Sequence, residues 1–313
     1  MLDFSLLKCK LFLQIEFYLS KVFKIMSAVV KPFFHQASST LCYVVYCEQT
    51  KHAAIIDPAY DFDYASGNIA TEFSQQIIQF VESAQLKIKW ILETHAHAEH
   101  LTAAQYLKRK LGGQIAIGAG ITKVQSTFKH ILNLADYQDI HGQDFDVLLS
   151  AGEQIDLGKQ AIKIFASPGH TNDSISYLID GNLFVGDTLF MPDAGTARCD
   201  FPGGSATRLY ETVQQFYQLP DDTNVWVCHD YQPNGRELQY VATIAQHKQH
   251  NIHINAQTSV SEFVAKRESR DATLGMPQLI YPSIQINIRA GKMPPAEQNS
   301  TSYIKVPMKL TNQ

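Results

Sequence analysis

The chain has few charged residues and no excess of basic ones. Charged residues make up 18% of its 313 residues, and 26 lysines and arginines stand against 30 aspartates and glutamates, for a formal net charge of -4. The sequence has no long basic run. Such a composition does not attract a phosphate backbone, so it argues against a nucleic-acid partner.

Cysteine is also scarce. The chain has 5 cysteines, an odd number, and their spacing matches no zinc ribbon. A disulfide framework is typical of small secreted domains, so we interpret these residues as reduced thiols of a cytoplasmic protein. They are Cys9, Cys42, Cys47, Cys199 and Cys228.

No apolar run is long enough to cross a membrane. Charged residues interrupt the apolar N-terminal segment before the roughly 18 apolar residues of a spanning helix accumulate. The segment also lacks the small-residue cleavage site of a secretory signal. We predict that residues 1–25 form an extension outside the fold, which a misplaced start codon would explain. A helix lying on a membrane surface is the alternative.

The apolar patterns predict alternating strands and helices. Residues 40–58 read as a hairpin, 72–86 as a helix and 87–93 as a buried strand. A second helix follows, with His100 on its first turn and Gly112-Gly113 at its end. Asp180-Gly181 between two apolar runs predicts another hairpin. The order indicates an α/β fold with two mixed sheets between helices.

The chain changes character after about residue 235. Residues 238–255 and 259–269 have helical patterns, and a proline-broken apolar segment follows them. We predict a core at residues 26–235 and a C-terminal extension at residues 236–313 that packs on this core, because its many apolar side chains need cover.

Seven polar residues stand where predicted strands give way to loops. The stretch THAHAEH contains four of them, and the others lie in SPGHT, VGDT and VCHD. Neutral imidazoles with carboxylates suit zinc, iron or manganese, and no thiolate is needed. The predicted metal-binding residues are His95, His97, Glu99, His100, His170, Asp187 and His229.

These motifs, in this order, resemble the metallo-β-lactamase superfamily, in its glyoxalase II-like branch, over residues 33–235. The resemblance implies an αββα sandwich. The run DAGTARCDFPGG (Asp193–Gly204) and the later PSIQINIRAG resemble one subgroup, the persulfide (sulfur) dioxygenases, including a bacterial β-lactamase-like-hydrolase type.

The resemblance implies two possible metal arrangements. In the persulfide dioxygenases one Fe(II) is bound by a facial triad, here His95, His170 and Asp187. In the glyoxalase II-like hydrolases two zinc ions are bound, the first through His95, His97 and His170, with Asp187 as the bridge. The residue at 99, His100 and His229 then hold the second.

Glu99 departs from the family pattern, in which aspartate is usual. Its extra methylene moves the carboxylate by about 1.5 Å, which is large beside metal–oxygen bonds of about 2.0–2.2 Å. The change is expected to weaken the second metal site and to leave the triad intact. It favours one iron per chain.

The dioxygenase resemblance also implies substrate-binding residues. Arg198 and Asp200 match pocket positions, Tyr231 matches a tyrosine near the iron with a catalytic role beside Asp187, and Arg289 in the C-terminal extension is expected to line the pocket. Cys199 is a candidate redox residue. The implied substrates are glutathione persulfide, or a related low-molecular-weight persulfide, and O₂, and family members are often homodimers.

Two other functions compete with this prediction. A dinuclear zinc thioester hydrolase of glyoxalase II type keeps nearly all of its ligands here. A metal-bearing sensor without turnover is less favoured, because no residue of the triad is missing.

Overall fold

The computed structural model describes residues 28–135, 137 and 140–308. The predicted N-terminal extension at residues 1–25 lies outside the described residues. The described β-strands are, in chain order, β1 (Ala28–His35), β2 (Thr40–Cys47), β3 (His52–Ile56), β4 (Asp61–Asp63), β5 (Asn68–Ala70), β6 (Lys87–Leu92), β7 (Gln114–Gly118), β8 (Val147–Leu149), β9 (Gln154–Leu157), β10 (Gln160–Ala166), β11 (Ile175–Ile179), β12 (Asn182–Phe184), β13 (Asn224–Trp226) and β14 (Val241–Thr243).

Within the described part of the chain there are seven α-helices, and none is long and apolar enough to cross a membrane. They are α1 (Glu72–Ser83), α2 (Ala104–Leu111), α3 (Ile121–Leu132), α4 (Ala206–Phe216), α5 (Ile244–His250), α6 (Val260–Asp271) and α7 (Ile280–Asn287).

Twelve of the strands form two six-stranded mixed sheets. The first has the order β1-β2-β3-β6-β7-β8, and the second has the order β14-β13-β12-β11-β10-β9. In the first sheet β3, β6, β7 and β8 pair in parallel, so the loops that follow them leave from one edge. In the second sheet only β12 and β13 pair in parallel. The predicted pair of mixed sheets is confirmed.

Three apolar clusters divide the molecule into layers. One lies between the two sheets, where Tyr43 of β2 packs edge-to-face on Phe184 of β12 with ring centroids 5.2 Å apart. Helices α1, α2, α3 and α7 cover the outer face of the first sheet, and α4, α5 and α6 cover that of the second. The order is helices, sheet, sheet, helices.

The turn between β11 and β12 shows how local sequence sets register. Asp180 and Gly181 both have positive φ, 48° and 74°, as a type I′ turn requires, and Ile179 pairs with Asn182. The hairpin predicted from this dipeptide is confirmed. The turn places the end of β12, and hence Asp187, beside the end of β6.

Two predicted helices begin later than expected. The helix after the histidine stretch starts at Ala104, so His100 lies in the preceding loop. In the second case Val241–Thr243 form β14, which pairs with β13 at the edge of the second sheet, and α5 starts only at Ile244. Pairing with the free edge of β13 stabilises a strand at these residues more than their helical periodicity stabilises a helix.

Candidate metal centre

Four of the predicted metal-binding residues lie in the loop between β6 and α2. His95, His97 and His100 are buried and Glu99 is half-buried. Asn287, at the end of α7, donates to the carbonyls of His97 and His100 at 2.8 and 2.7 Å. A C-terminal residue therefore holds the loop in place, which the sequence motifs did not indicate.

The second sheet supplies the other three residues. His170, Asp187 and His229 follow β10, β12 and β13 and are buried. The Asp187 carboxylate lies 3.9 Å from His95 Nε2, 3.8 Å from His170 Nε2 and 3.5 Å from His229 Nε2. The structure therefore brings residues from both sheets together around Asp187.

The approach of the two sheets depends on a glycine. Gly186 has a φ of 52°, and a Cβ built on it would lie 2.5 Å from Thr94 Oγ1. Thr94 precedes His95, and Gly186 precedes Asp187. Because residue 186 has no side chain, the two backbones that carry these residues can pack closely.

Several donor atoms at the centre are buried without a hydrogen-bond partner. Such atoms are costly in a protein interior unless something binds them. Donor atoms of His95, His170 and Asp187 lie within 4.8 Å of one another, as do those of His97, His100 and His229. The residues therefore fit a metal ion. The unpartnered atoms are His95 Nε2, His97 Nδ1, His100 Nε2, His229 Nε2 and Asp187 Oδ1.

Outer partners set which ring nitrogen is free. His97 Nε2 donates to Asp57 Oδ1 at 3.0 Å, and His170 Nδ1 donates to the Arg198 carbonyl at 2.7 Å. A carboxylate or carbonyl oxygen only accepts, so in the neutral ring the other nitrogen has the lone pair that a metal binds.

His95 is oriented through a hydroxyl group. Its Nδ1 lies 3.1 Å from Thr94 Oγ1, which donates its own proton to Asp57 Oδ2 at 2.9 Å. The hydroxyl must accept from His95, so His95 Nε2 is bare.

The Glu99 carboxylate lies beside different histidines from the Asp187 carboxylate. Its carboxylate can share a metal with His95 and His97, within 4.8 Å, and among the described residues it forms no such group with His100 or His229. The side chain bends back, so that Oε2 accepts from the Ala98 N–H at 3.0 Å.

Two buried carboxyl groups have raised pKa values. Burial raises the pKa of Glu93 to about 7, although His97 opposes the shift. Burial and the nearby charge of Glu99 raise the pKa of Asp187 to about 7. Burial alone would lower the pKa of His97, but the charge and hydrogen bond of Asp57 raise it well above its usual range.

The raised pKa of Glu93 predicts a pH-dependent stability difference. The folded pKa is about 7, against about 4.3 in an unfolded chain. The folded state thus binds the proton more tightly, and its stability falls as pH rises between these values. In metal-free protein, Glu93→Gln removes this penalty. We expect the variant to gain up to about 3 kcal/mol over wild type between pH 5 and pH 8.

Urea unfolding at several pH values measures this difference. Glu82→Gln, at an exposed position in α1, controls for the loss of one carboxylate. A difference between Glu93→Gln and wild type that does not change with pH would contradict the prediction.

A cavity of about 420 Å³ opens beside the cluster. Glu99, His170 and Asp187 lie at its base, and Arg198 and Tyr231 line it as well. Arg198 makes two hydrogen bonds of 2.6 Å to Asp200 and one of 2.7 Å to the Gly275 carbonyl, and two of its five N–H groups have no such partner. The Tyr231 ring stacks on the His229 ring.

Helix α6 adds two cations that the motifs did not predict. Arg267 and Arg270 both line the cavity. Arg267 is buried and pairs with Asp271 at 2.6 Å, whereas Arg270 is exposed. The only sequence signal was a pair of arginines three positions apart, with Arg267 inside a predicted helix and Arg270 just after it.

The structure does not bring Arg289 or Cys199 to the cavity wall. The Arg289 guanidinium lies over the Tyr137 ring, 4.5 Å from its centroid. Cys199 is buried between the strands and α6, and burial raises its pKa to about 12. A thiol of this kind is protonated at neutral pH and is a poor nucleophile.

Comparisons with known proteins agree with this geometry. The Metallo-beta-lactamase superfamily profile matches residues 36–229. The chain is 42% identical to glyoxylase B2 of Dictyostelium discoideum, over 91% of this chain and 99% of that one. It is 26% identical to the mitochondrial persulfide dioxygenase ETHE1 of Homo sapiens, over 85% of this chain and 90% of that one.

A solved structure matches the fold as well. The crystal structure of ETHE1 from Myxococcus xanthus superposes with a TM-score of 0.67 at 29% identity, covering 84% of this chain and all of the other. The resemblance predicted from the motifs is thus confirmed, and the chain belongs to the metallo-β-lactamase superfamily.

Proposed function

We propose that the protein is a mononuclear non-haem Fe(II) persulfide dioxygenase that oxidises glutathione persulfide with O₂ to sulfite and glutathione. The observation that carries the proposal is the group of His95, His170 and Asp187, whose donor atoms lie within 4.8 Å of one another. His170 and Asp187 also line the cavity, so this group faces the space that a substrate would enter.

Two histidines and one carboxylate are the facial ligand set of non-haem Fe(II) oxygenases. Such a set occupies one side of the ion and leaves the other side open for substrate and O₂. An iron(II) ion held there would supply the redox chemistry with O₂ that zinc lacks. The outer partners Thr94 and the Arg198 carbonyl orient the His95 and His170 rings.

The cavity suits an anionic thiol peptide. Arg198 has N–H groups left for a carboxylate, and Arg270 at the exposed side adds a second positive charge. Charge-assisted hydrogen bonds from arginine are among the stronger polar contacts in proteins. Asp200 fixes the Arg198 fork through two hydrogen bonds. Tyr231 offers a hydroxyl near the metal group.

Glu99 supports one metal over two. Its carboxylate lies with His95 and His97 and does not complete a group with His100 and His229. This is the arrangement expected if the longer side chain misses the second metal site.

A dinuclear zinc thioester hydrolase is the second candidate. The observation that favours it is the group of His97, His100 and His229, which also lies within 4.8 Å and has three unpartnered ring nitrogens. The relative named glyoxylase B2 is consistent with this candidate. Zinc ions held there would activate water for hydrolysis of a thioester.

Metal content and O₂ uptake test the proposal together. Protein purified anaerobically is analysed for metals and then mixed with glutathione persulfide in an oxygen electrode. We expect one iron per chain, with O₂ uptake that depends on the persulfide. Two zinc ions per chain, no O₂ uptake and hydrolysis of S-lactoylglutathione would replace the dioxygenase by the hydrolase.

A further inference from the structure

The second nitrogen of His100, like that of His95, lies against a threonine hydroxyl. His100 Nδ1 lies 3.2 Å from the hydroxyl of Thr40, at the start of β2. A hydroxyl can donate or accept, so this contact alone leaves the tautomer of His100 open. What lies behind Thr40 decides which of the two nitrogens carries the proton.

A run of hydrogen bonds continues from Thr40 toward the surface. Thr40 Oγ1 lies 2.7 Å from Ser38 Oγ, and Ser38 Oγ lies 2.6 Å from His35 Nδ1. His35 Nε2 lies 3.2 Å from Asp61 Oδ1. We call Asp61, His35, Ser38 and Thr40 the Asp61 path. The Asp61 side chain is one-third exposed, whereas Thr40 is fully buried.

At the outer end of the path, Asp61 determines which nitrogen of His35 carries the proton. Asp61 Oδ2 accepts the N–H of Phe73 in the first turn of α1 at 2.9 Å, which holds the carboxylate in place. Phe73 also packs against the His35 ring, with centroids 4.9 Å apart. Burial lowers the pKa of His35, although Asp61 opposes the shift, so the ring is neutral at neutral pH. Its one proton belongs on Nε2, because a carboxylate only accepts.

The proton on His35 Nε2 fixes the direction of every other hydrogen bond in the path. His35 Nδ1 has no proton, so it accepts from Ser38. The Ser38 oxygen then accepts from Thr40, so the Thr40 hydroxyl has no proton left for His100 and accepts from His100 Nδ1. His100 Nε2 is left with its lone pair, and this atom is buried without a partner.

We infer that the Asp61 path is a one-directional hydrogen-bond chain that fixes the tautomer of His100, so that His100 Nε2 faces the metal centre as a bare nitrogen. Its members are positioning residues that act through His100. The inference does not depend on the reaction that the enzyme catalyses.

His229 provides an internal reference. Its Nδ1 lies 3.2 Å from the Ser39 carbonyl, which only accepts, and 3.5 Å from Thr40 Oγ1. The Ser39 carbonyl alone is enough to keep the proton of His229 on Nδ1, so the tautomer of His229 does not need the Asp61 path.

The tautomers are measured on metal-free protein with ¹⁵N-labelled histidine, by long-range ¹H–¹⁵N NMR. In wild type we expect Nδ1 of His100 to carry the proton. In Thr40→Val, which keeps the branched shape but has no hydroxyl, we expect a mixture of tautomers at His100 and no change at His229. Thr40→Ser keeps the hydroxyl and is expected to restore the wild-type spectrum.

Ser38→Ala tests the path beyond Thr40. Without the Ser38 hydroxyl, the Thr40 proton has only the long contact of 3.5 Å to the Ser38 carbonyl on this side. It can then turn toward His100, so the tautomer with a bare Nδ1 is expected to increase. Ser38 is not buried and touches no residue of the metal centre other than through Thr40. Wild-type His100 signals in both Ser38→Ala and Thr40→Val would overturn the inference.

Zinc titration gives a second readout that does not need turnover. Removing an outer hydrogen-bond partner typically costs about 10–100-fold in metal affinity. We expect Thr40→Val to bind zinc at the group of His97, His100 and His229 weaker by this factor, and Thr40→Ser to bind as wild type does. Equal zinc affinity of Thr40→Val and wild type would also count against the inference. A failed dioxygenase assay would leave both measurements unaffected.

Discussion

An Asp187→Asn variant is expected to lose bound iron and persulfide-dependent O₂ uptake by more than about 100-fold. The replacement keeps the size of the side chain and removes its charge. Loss of a residue that merely supports a metal ligand costs about 10–100-fold, and loss of the ligand exceeds that. Asp187 lies within 4 Å of the Nε2 atoms of three histidines, whereas the Glu99 carboxylate forms a metal-binding group with only two of the described histidines, His95 and His97.

The control for this variant is a change of similar size far from the metal centre. His130→Gln alters an exposed residue in α3 and is expected to keep iron and activity. Circular dichroism establishes that both variants are folded. Iron content and O₂ uptake near the wild-type values in Asp187→Asn would remove Asp187 from the metal site and, with it, the proposed triad.

Removing the metal is expected to lower the free energy of unfolding by about 4 kcal/mol, if free metal stood about 1,000-fold above its dissociation constant. The physical reason is that the ion binds the folded chain, where His95 Nε2 and Asp187 Oδ1 are buried without another partner. Urea unfolding with and without a chelator, at pH 7 and without oxygen, measures the loss.

Asp187→Asn serves as the matched control for metal removal. Because this variant is expected to bind little metal, a chelator should barely change its stability. If the chelator destabilised the variant as much as wild type, the stabilising ion would be bound elsewhere.

The clustering of the proposed metal-binding residues could be predicted because the signal is local. THAHAEH follows a strand of β-branched and aromatic residues, and PGHT, GD and CHD each come shortly after another strand. The ends of neighbouring strands lie at the same edge of a sheet, so polar residues that follow these strands are expected to lie close together.

The residues that orient those side chains could not be predicted in the same way. Asn287 is separated by 190 positions from His97, and Thr40 by 60 positions from His100. Both are ordinary residue types in apolar surroundings, and only the tertiary fold brings them to the loop. The same holds for Arg267 and Arg270, which reach the cavity because α6 packs against α4.

The late start of α2 has a related cause. Helical periodicity extends back to Leu101, but Asn287 binds the carbonyls of His97 and His100 and the N–H of Thr102. These backbone groups are then unavailable to a helix. The Leu101 carbonyl also accepts from the Tyr60 N–H, and the Ala103 N–H donates to the Pro58 carbonyl. The start of the helix is therefore set by contacts from distant parts of the chain, and no local pattern carries that information.

The contact between Gly186 and Thr94 limits how this protein can change over evolutionary time. Because a side chain at position 186 would collide with Thr94, drift at this site is barred by shape alone, whatever metal the enzyme uses. Thr94 precedes His95 and Gly186 precedes Asp187, so this backbone contact sets the spacing between the two side chains. The gap for an ion is therefore a property of the backbone, and a change of side chain elsewhere at the centre, such as at Glu99, does not touch it.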